Sequence, residues 1–154
     1  MISSLLTKLR KRKVAIQVGE AAAALIQEAA ERATPTETGG ILLGWWENGM
    51  IVIDSAIEVI DKSATGTSWV RREAQAQTAL VAALAESQNP HVGYVGDWHC
   101  HPAPVGASRT DLRSLARSSL QYENPLVLIV RLSDATLRVH AAERGRHLSV
   151  ELCD

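Results

Sequence analysis

The chain has 154 residues, of which 46% are hydrophobic and 21% charged, so it has the composition of one globular domain and not of a disordered protein. Its formal net charge is −1, which disfavours the large basic surface of a nucleic-acid-binding protein. No apolar run approaches the roughly 20 residues that a membrane-spanning helix needs, which disfavours a membrane partner.

The two cysteines, Cys100 and Cys153, give no disulfide framework, and the N-terminus lacks the apolar region and cleavage site of a secretion signal. We therefore expect a cytoplasmic protein with a single domain spanning residues 1–154. Its first thirteen residues contain a basic run, which we interpret as a solvated segment rather than a binding surface. The cations of this run are Lys8, Arg10, Lys11, Arg12 and Lys13.

Periodicity and turn signals divide the chain into alternating strands and helices. Alternating β-branched residues predict the first strand, alanine-rich stretches predict helices, and Asn48-Gly49 predicts a hairpin turn. In chain order we predict strand 14–18, helix 20–33, strands 37–44 and 50–60, helix 70–88, strand 91–101, helix 111–120, and strands 125–132, 136–141 and 147–152.

Interleaved helices and hairpin-connected strands predict an α/β chain of the α+β type, with a mixed sheet flanked by helices. A parallel doubly wound sheet is disfavoured. In the second helix, Ala74, Val81, Leu84 and Ala85 fall along one stripe, which is typical of an amphipathic helix that packs on a core.

Residues 96–111 carry the strongest chemical signal in the chain. On a strand, His99 and His101 project to one face while Trp98 and Cys100 project to the other. Asp111 follows after a loop, near the start of the next helix, where its carboxylate could supply a third ligand. Two imidazoles and a carboxylate are the ligands of a catalytic zinc site, which leaves one position open.

Each part of this signal has a structural alternative. A His-x-His pair alone is more often a surface or packing feature, and Ser108-x-x-Asp111 resembles a helix-capping box. Neither alternative explains why two histidines on one face precede a carboxylate within so short a span. The combination therefore favours a metal site, and Ser108 could cap the helix and still direct its hydroxyl toward that site.

Together these residues resemble the signature of the JAB/MPN (JAMM) zinc metalloproteases, in which a distant glutamate precedes His-x-His-Pro and Ser-x-x-Asp. The likeness covers most of the chain and is greatest for the prokaryotic JAB, deubiquitinase-like group. One residue fewer than usual separates His101 from Asp111, and the shortening falls in the loop between them. The matching positions are Glu37, His99, His101, Pro102, Ser108 and Asp111.

The resemblance implies a fold and a set of roles. The implied fold is a curved mixed sheet between helices, with a cytidine deaminase-like architecture. By the same resemblance His99, His101 and Asp111 bind one Zn²⁺, Glu37 is the general base, and Ser108 helps to stabilise the developing oxyanion. Without the motif, Glu37 would be interpreted as an exposed loop carboxylate.

Other residues give weaker signals. Cys100 could be a ligand or nucleophile, but its position opposite the histidines favours a small packed residue. Base deamination is disfavoured because the chain lacks His-x-Glu and Pro-Cys-x-x-Cys. We interpret three histidines and three tryptophans as packing or surface residues. These are His91, His140, His147, Trp45, Trp46 and Trp98.

The resemblance implies that the substrate is a ubiquitin-like protein or its conjugate, cleaved after a C-terminal glycine. An extended tail could add as a strand to an exposed sheet edge, guided by residues 61–69. Alternatively, this loop is only a connection and Trp69 anchors the following helix. In the prokaryotic group, the implied partners sometimes include activating- and conjugating-enzyme-like proteins of anti-phage systems such as CBASS.

Two other functions stay open at this point. The first is a non-catalytic scaffold that uses the same fold to bind a partner, although such members commonly lack ligand residues that this chain has. The second is a metallopeptidase that acts on small amino-acid conjugates. Measuring the zinc content of the purified protein distinguishes the scaffold from the enzyme. Parallel cleavage assays on a ubiquitin-like fusion protein and on small peptides distinguish the two kinds of enzyme.

Overall fold

The structure, a computed structural model, describes residues 12–154, and each predicted element has a counterpart in it. Lys8, Arg10 and Lys11 of the basic run lie outside the described residues, whereas Arg12 pairs with Glu143 and Lys13 pairs with Glu151.

The elements are β1 (Lys13–Val18), α1 (Glu20–Ala33), β2 (Gly39–Glu47), β3 (Met50–Glu58), α2 (Glu73–Glu86), β4 (Gly93–Cys100), α3 (Arg109–Ser119), β5 (Leu126–Arg131), β6 (Leu137–Glu143) and β7 (Arg146–Cys153).

The strands form a mixed sheet, as predicted, but the sheet closes into a barrel in the order β1-β3-β2-β4-β5-β6-β7. The closing pair is β1 with β7, which run parallel with Lys13–Gln17 beside Ser149–Cys153. Val14 and Ile16 of β1 are buried in the core, and Val150 of β7 packs against it. Closure therefore buries apolar residues from both ends of the chain and pairs two strands that would otherwise be sheet edges.

The hairpin between β2 and β3 forms at the predicted turn. Asn48 and Gly49 have φ angles of 50° and 75°, the left-handed conformation that a two-residue hairpin turn of this kind requires. The two strands then pair antiparallel from Glu47 and Met50 to Gly40 and Glu58. β2 also pairs antiparallel with β4, with Gly39 beside His99, so the start of β2 lies at the same end of the barrel as the end of β4.

The main core fills the barrel beneath α1. Ile26 of α1 is fully buried in this cluster together with Trp98 of β4 and Ile129 of β5. A second cluster lies beneath α3, where Leu115 packs with Leu128 and other apolar residues of β5. Helices thus cover two regions of the barrel. Among residues 12–154, no helix is both long enough and apolar enough to cross a membrane.

The predicted packing face of α2 is wrong. All four residues of the predicted stripe are exposed, and Val81 and Leu84 are 58% and 38% exposed. The helix instead packs through Ala76, which is buried beside Ile41 and Val59. Alanine occupies both faces of this helix, so the spacing of apolar residues does not show which face is buried. The face with the small Ala76 side chain packs on the sheet because it lets the helix backbone lie close to the strands.

Candidate metal centre

Strand β4 directs two histidines toward a cleft. Trp98 and Cys100 are 0% and 2% exposed on the face that points into the barrel, and His99 and His101 lie on the other face, as the alternation predicted. β4 is fixed on both sides, since His99 pairs with Gly39 of β2 and with Val130 of β5. The two imidazole ring centres are 4.9 Å apart.

Helix α3 contributes the carboxylate through its first turn. The Oγ atom of Ser108 accepts a hydrogen bond from the Asp111 backbone N–H at 3.0 Å, and the Asp111 Oδ2 atom accepts one from the Ser108 backbone N–H at 2.8 Å. This is the reciprocal pattern of a capping box. The cap orients the carboxylate as well as starting the helix, because Asp111 Oδ2 also lies 3.4 Å from His99 Nε2 and 3.6 Å from His101 Nε2.

One ligand atom from each of His99, His101 and Asp111 lies within 4.8 Å of the other two. The His99 Nε2 atom is buried and accepts or donates no hydrogen bond within the described part of the chain. A buried nitrogen without a partner is costly in a folded protein. The cost is removed if its lone pair binds an ion, so this arrangement fits a metal.

Backbone contacts orient the second histidine. The Nδ1 atom of His101 lies 3.0 Å from the carbonyl oxygen of Val105, so Nδ1 carries the proton and Nε2 keeps its lone pair. The His101 backbone N–H donates to the carbonyl of Arg131 at 2.8 Å. Two imidazole nitrogens and one carboxylate oxygen make a donor set that suits zinc.

Glu37 lies beside this cluster although it comes from much earlier in the chain. Its Oε1 atom is 3.8 Å from His101 Nε2, and its side chain is 12% exposed. Its backbone N–H donates to the carbonyl of Thr65 at 2.8 Å. Gly39, two residues later, allows β2 to lie close to β4 at this point, since a Cβ atom on Gly39 would lie 2.6 Å from the Trp98 carbonyl oxygen.

The two carboxyl groups have opposite pKa shifts. Burial raises the pKa of Glu37, and the nearby His101 and His99 oppose this only in part. Burial alone would also raise the pKa of Asp111, but the adjacent His99 imidazole and the hydrogen bond from the Ser108 backbone outweigh it and lower that pKa. Asp111 is therefore the carboxyl held in the ionised form that a metal ligand needs.

These residues line a cleft of ≈ 920 Å³. One wall is formed by 66–69 and the other by the loop 102–107 with the start of α3. Trp69 connects its loop both to the sheet and to the site. Its Nε1–H donates to the Val59 carbonyl at 3.1 Å, and the centre of its ring lies 6.4 Å from that of His99. The tryptophan thus anchors the chain at the edge of the site.

The remaining histidines and Cys100 lie outside the group of three ligands. Cys100 accepts a hydrogen bond from the Thr38 backbone N–H at 3.3 Å, and burial raises the pKa of its thiol. His140, on β6, has a buried Nε2 atom with no partner among residues 12–154, and burial lowers its pKa. His91 is exposed.

Sequence reasoning missed a polar group at the same cleft, in which Arg71 and Asp97 line the cleft and Tyr94 donates a hydrogen bond to Asp97 from outside it. Burial and the neighbouring Asp97 raise the pKa of Tyr94, so its hydroxyl stays a hydrogen-bond donor. Asp97 precedes His99 by two residues on the same strand. Extending the alternation of the histidines by one step would have identified it.

Comparisons with known proteins agree with the fold. A family model described as prokaryotic homologs of the JAB domain matches residues 19–144. The solution structure of protein DSY2949 from Desulfitobacterium hafniense is similar, with a TM-score of 0.63 and 16% identity, over 90% of this chain and 93% of that one. No curated protein matches the chain.

Proposed function

Because the chain belongs to the family of prokaryotic homologs of the JAB domain, we propose that it is a zinc-dependent hydrolase of the JAMM type that cleaves an amide bond. One observation supports this most directly. The three potential ligand atoms lie within 4.8 Å of one another, and Glu37 Oε1 lies 3.8 Å from His101 Nε2. A metal ligand set with an adjacent carboxyl that does not belong to it is the arrangement of a hydrolytic site.

His99, His101 and Asp111 would hold the ion. When bound, zinc supplies Lewis acidity, which polarises a carbonyl group and lowers the pKa of water to about 7. The protein contributes preorganisation, since Val105 fixes His101, the capping box fixes Asp111, and the pairing of β4 with β2 and β5 fixes His99.

Glu37 is the proposed general base and acid. Its carboxylate would accept a proton from a water molecule in the cleft and deliver it to the nitrogen of the departing amine. The side chain is largely enclosed but lines the cleft, so it is shielded from bulk water and can still contact a reactant. The Thr65 contact holds its backbone in place.

Ser108 is the proposed donor to the carbonyl oxygen of the substrate. Its Oγ atom uses one lone pair to accept from the Asp111 backbone, which leaves the hydroxyl hydrogen available. Ser108 also lines the cleft. A hydroxyl fixed in this way can stabilise negative charge as it develops on the oxygen.

We propose a ubiquitin-like protein or its conjugate as the substrate, cleaved after a C-terminal glycine. Small residues line the cleft beside the ligands, among them Gly66, Ala103 and Gly106. Small side chains at these positions leave room for an extended tail that ends in glycine. Partners of the activating- and conjugating-enzyme type and a role in anti-phage defence stay predictions.

The closed sheet limits where the predicted tail could add as a strand. Within residues 12–154 every strand has a neighbour on both sides, so no whole strand lies at an edge. Ser55–Glu58 of β3 and Leu137–His140 of β6 have a strand partner on one side only. As the route to the potential ligands we propose the cleft lined by 66–69 and by residues of the loop 102–107.

The experiment compares zinc-loaded wild type with Glu37→Gln on a ubiquitin-like protein carrying a C-terminal extension. We expect the variant to bind zinc and fold normally but to lose cleavage, whereas Glu47→Gln, an exposed glutamate outside the cleft, cleaves as wild type does. Equal cleavage by Glu37→Gln would contradict the mechanism. Cleavage of small peptides but not of any ubiquitin-like fusion would contradict the substrate class.

A further inference from the structure

A second cavity, of ≈ 380 Å³, is lined by most of the aromatic side chains of the protein. The chain has four tryptophans, two tyrosines and no phenylalanine. Four of these six side chains line the cavity, namely Trp45, Trp46, Tyr94 and Tyr122. The proposed reaction uses none of them. A chain so poor in aromatic residues thus places most of them around one space that it leaves unfilled.

The cavity forms where β2 extends past the start of β4. The pairing of β2 with β3 continues to Glu47, but its pairing with β4 ends at Gly44, beside Gly93. Trp45 and Trp46 follow Gly44, so β4 does not cover the sheet at their positions. The residues that line the cavity include the exposed Tyr122, so a ligand can enter from solvent.

Gly93 leaves this space open although the fold does not require a glycine there. Its φ angle lies outside the left-handed region, and a Cβ atom on Gly93 would meet no heavy atom of the described chain within 4 Å. Gly44 differs, because a Cβ atom there would lie 1.8 Å from the Val52 carbonyl oxygen. A strand glycine that packing does not explain is typical of a place where a ligand approaches the backbone closely.

The charge of the lining favours a cation. Among residues 12–154, Glu123 is the one carboxylate that lines the cavity, and no lysine or arginine lines it. Within the same part of the chain, His91 is the other titratable side chain of the lining apart from the tyrosines. The faces of aromatic rings attract cations electrostatically, and the Glu123 carboxylate adds to this attraction.

Rings combined with a carboxylate suit a guanidinium better than an ammonium group. A guanidinium is planar and weakly hydrated, it stacks on aromatic rings, and it donates two parallel hydrogen bonds to a carboxylate. The protein itself contains such a contact, since the Arg71 guanidinium lies 5.5 Å from the centre of the Tyr94 ring. The Tyr122 ring centre lies 5.6 Å from that of Tyr94.

We propose that this cavity binds an arginine side chain of a partner polypeptide. The aromatic rings would contact the faces of the guanidinium, and Glu123 would accept its hydrogen bonds. Six steps along β4 separate Gly93 from His99, which is about 20 Å of extended strand, so the arginine is not a neighbour of the scissile bond. The cavity is therefore a docking site whose binding does not depend on catalysis.

The test titrates ¹⁵N-labelled protein with acetyl-arginine-amide and with acetyl-citrulline-amide, whose neutral urea group has nearly the shape of a guanidinium. The indole N–H signals of the four tryptophans are followed by NMR. We expect the arginine compound to shift the signals of Trp45 and Trp46 with a Kd on the order of 1 mM, and the citrulline compound to bind roughly fivefold to tenfold more weakly. The buried Trp98 is the reference, and Trp69 reports on the cleft.

Two variants locate the binding. Glu123→Gln keeps the shape of the side chain but removes its charge, so its Kd for the arginine compound should rise to that of the citrulline compound. Gly93→Val should abolish the shifts, because its side chain occupies the cavity, and its circular dichroism spectrum should match that of wild type. Glu86→Gln, at an exposed position outside the cavity, should bind as wild type does.

Equal Kd values for the two compounds in wild type would overturn the inference, since the site would then not recognise the charge. An arginine preference that survives Glu123→Gln, or binding that persists in Gly93→Val, would overturn it as well. Shifts confined to Trp69 would place the arginine in the cleft and not in this cavity. If Gly93→Val does not fold, the comparison of wild type with Glu123→Gln still decides the question.

Discussion

His101 Nδ1 lies 3.0 Å from the carbonyl oxygen of Val105. This contact joins the end of β4 to the loop that leads to α3, so it links two of the elements that supply potential ligands. Because a carbonyl oxygen only accepts hydrogen bonds, the neutral imidazole must carry its proton on Nδ1. The lone pair of Nε2 then points toward Asp111 and Glu37.

The first prediction concerns this tautomer. In long-range proton–nitrogen correlation spectra of the metal-free protein at neutral pH, we expect neutral His101 to show a protonated Nδ1 and an unprotonated Nε2. The exposed His91 serves as the reference for a ring outside the cluster. A spectrum with the proton on Nε2 would show that the Val105 contact does not orient the ring as a metal ligand.

The second prediction separates the two roles of Ser108. Ser108→Ala removes the N-cap oxygen and should lower the free energy of unfolding by about 1 kcal/mol in urea, whereas Ser108→Asn keeps a capping oxygen and should lower it less. Ser108→Ala also removes the hydroxyl donor and should cleave roughly 10²-fold to 10³-fold more slowly, whereas the amide N–H of Ser108→Asn can still donate and should preserve more of the rate. If Ser108→Ala cleaves at the wild-type rate, Ser108 acts only as a cap.

The third prediction concerns the loop beside the cleft. The side chain of Asp61 is 2% exposed, and its pKa is lowered chiefly by a hydrogen bond from the Val70 backbone, with a further contribution from Arg72 that burial opposes. A carboxyl with a lowered folded-state pKa stabilises the fold fully above its unfolded pKa of about 3.9. That contribution is lost as the pH falls through the folded-state pKa.

We therefore expect wild type to be more stable than Asp61→Asn in urea at neutral pH, and we expect the difference to shrink as the pH is lowered toward about 3. Asp54→Asn, at an exposed position, is the matched control and should show a much smaller difference. A difference between wild type and Asp61→Asn that is independent of pH would rule out the ionised carboxylate as its cause.

The fourth prediction tests the orientation of α2. Val81 is 58% exposed, whereas Ile129 is fully buried in the barrel. Val81→Ala should change the free energy of unfolding by no more than about 0.5 kcal/mol, and Ile129→Ala should lower it by about 2–5 kcal/mol. Comparable losses in the two variants, measured by urea unfolding, would mean that the helix packs through the stripe that the sequence suggested.

Local sequence signals predicted the elements but not how the sheet closes. Alternation in β1 and the Asn48-Gly49 turn are short-range features, and the structure contains both. The pairing of β1 with β7 joins residues at opposite ends of the chain, and no turn or periodicity encodes it. The buried face of α2 was predicted wrongly for a different reason. Alanine is common on both buried and exposed faces of helices, so an alanine-rich helix does not reveal which face packs on the sheet.

The cluster of potential ligands could be predicted because alternation on one strand and a cap on the next helix are local rules. Glu37 could be included only through the family resemblance, since its approach to His101 depends on the pairing of β2 with β4. Arg71 was missed because its contact with Asp97 brings together two residues 26 positions apart, from a loop and a strand. Such contacts depend on tertiary packing.

The most direct test of the account is the zinc content of purified protein after reconstitution and removal of free metal. For wild type we expect one zinc ion per chain, bound by His99, His101 and Asp111. His99→Ala should lose it while keeping its circular dichroism spectrum, and His91→Ala should retain it. Wild type without bound zinc, or His99→Ala with as much zinc as wild type, would contradict the account.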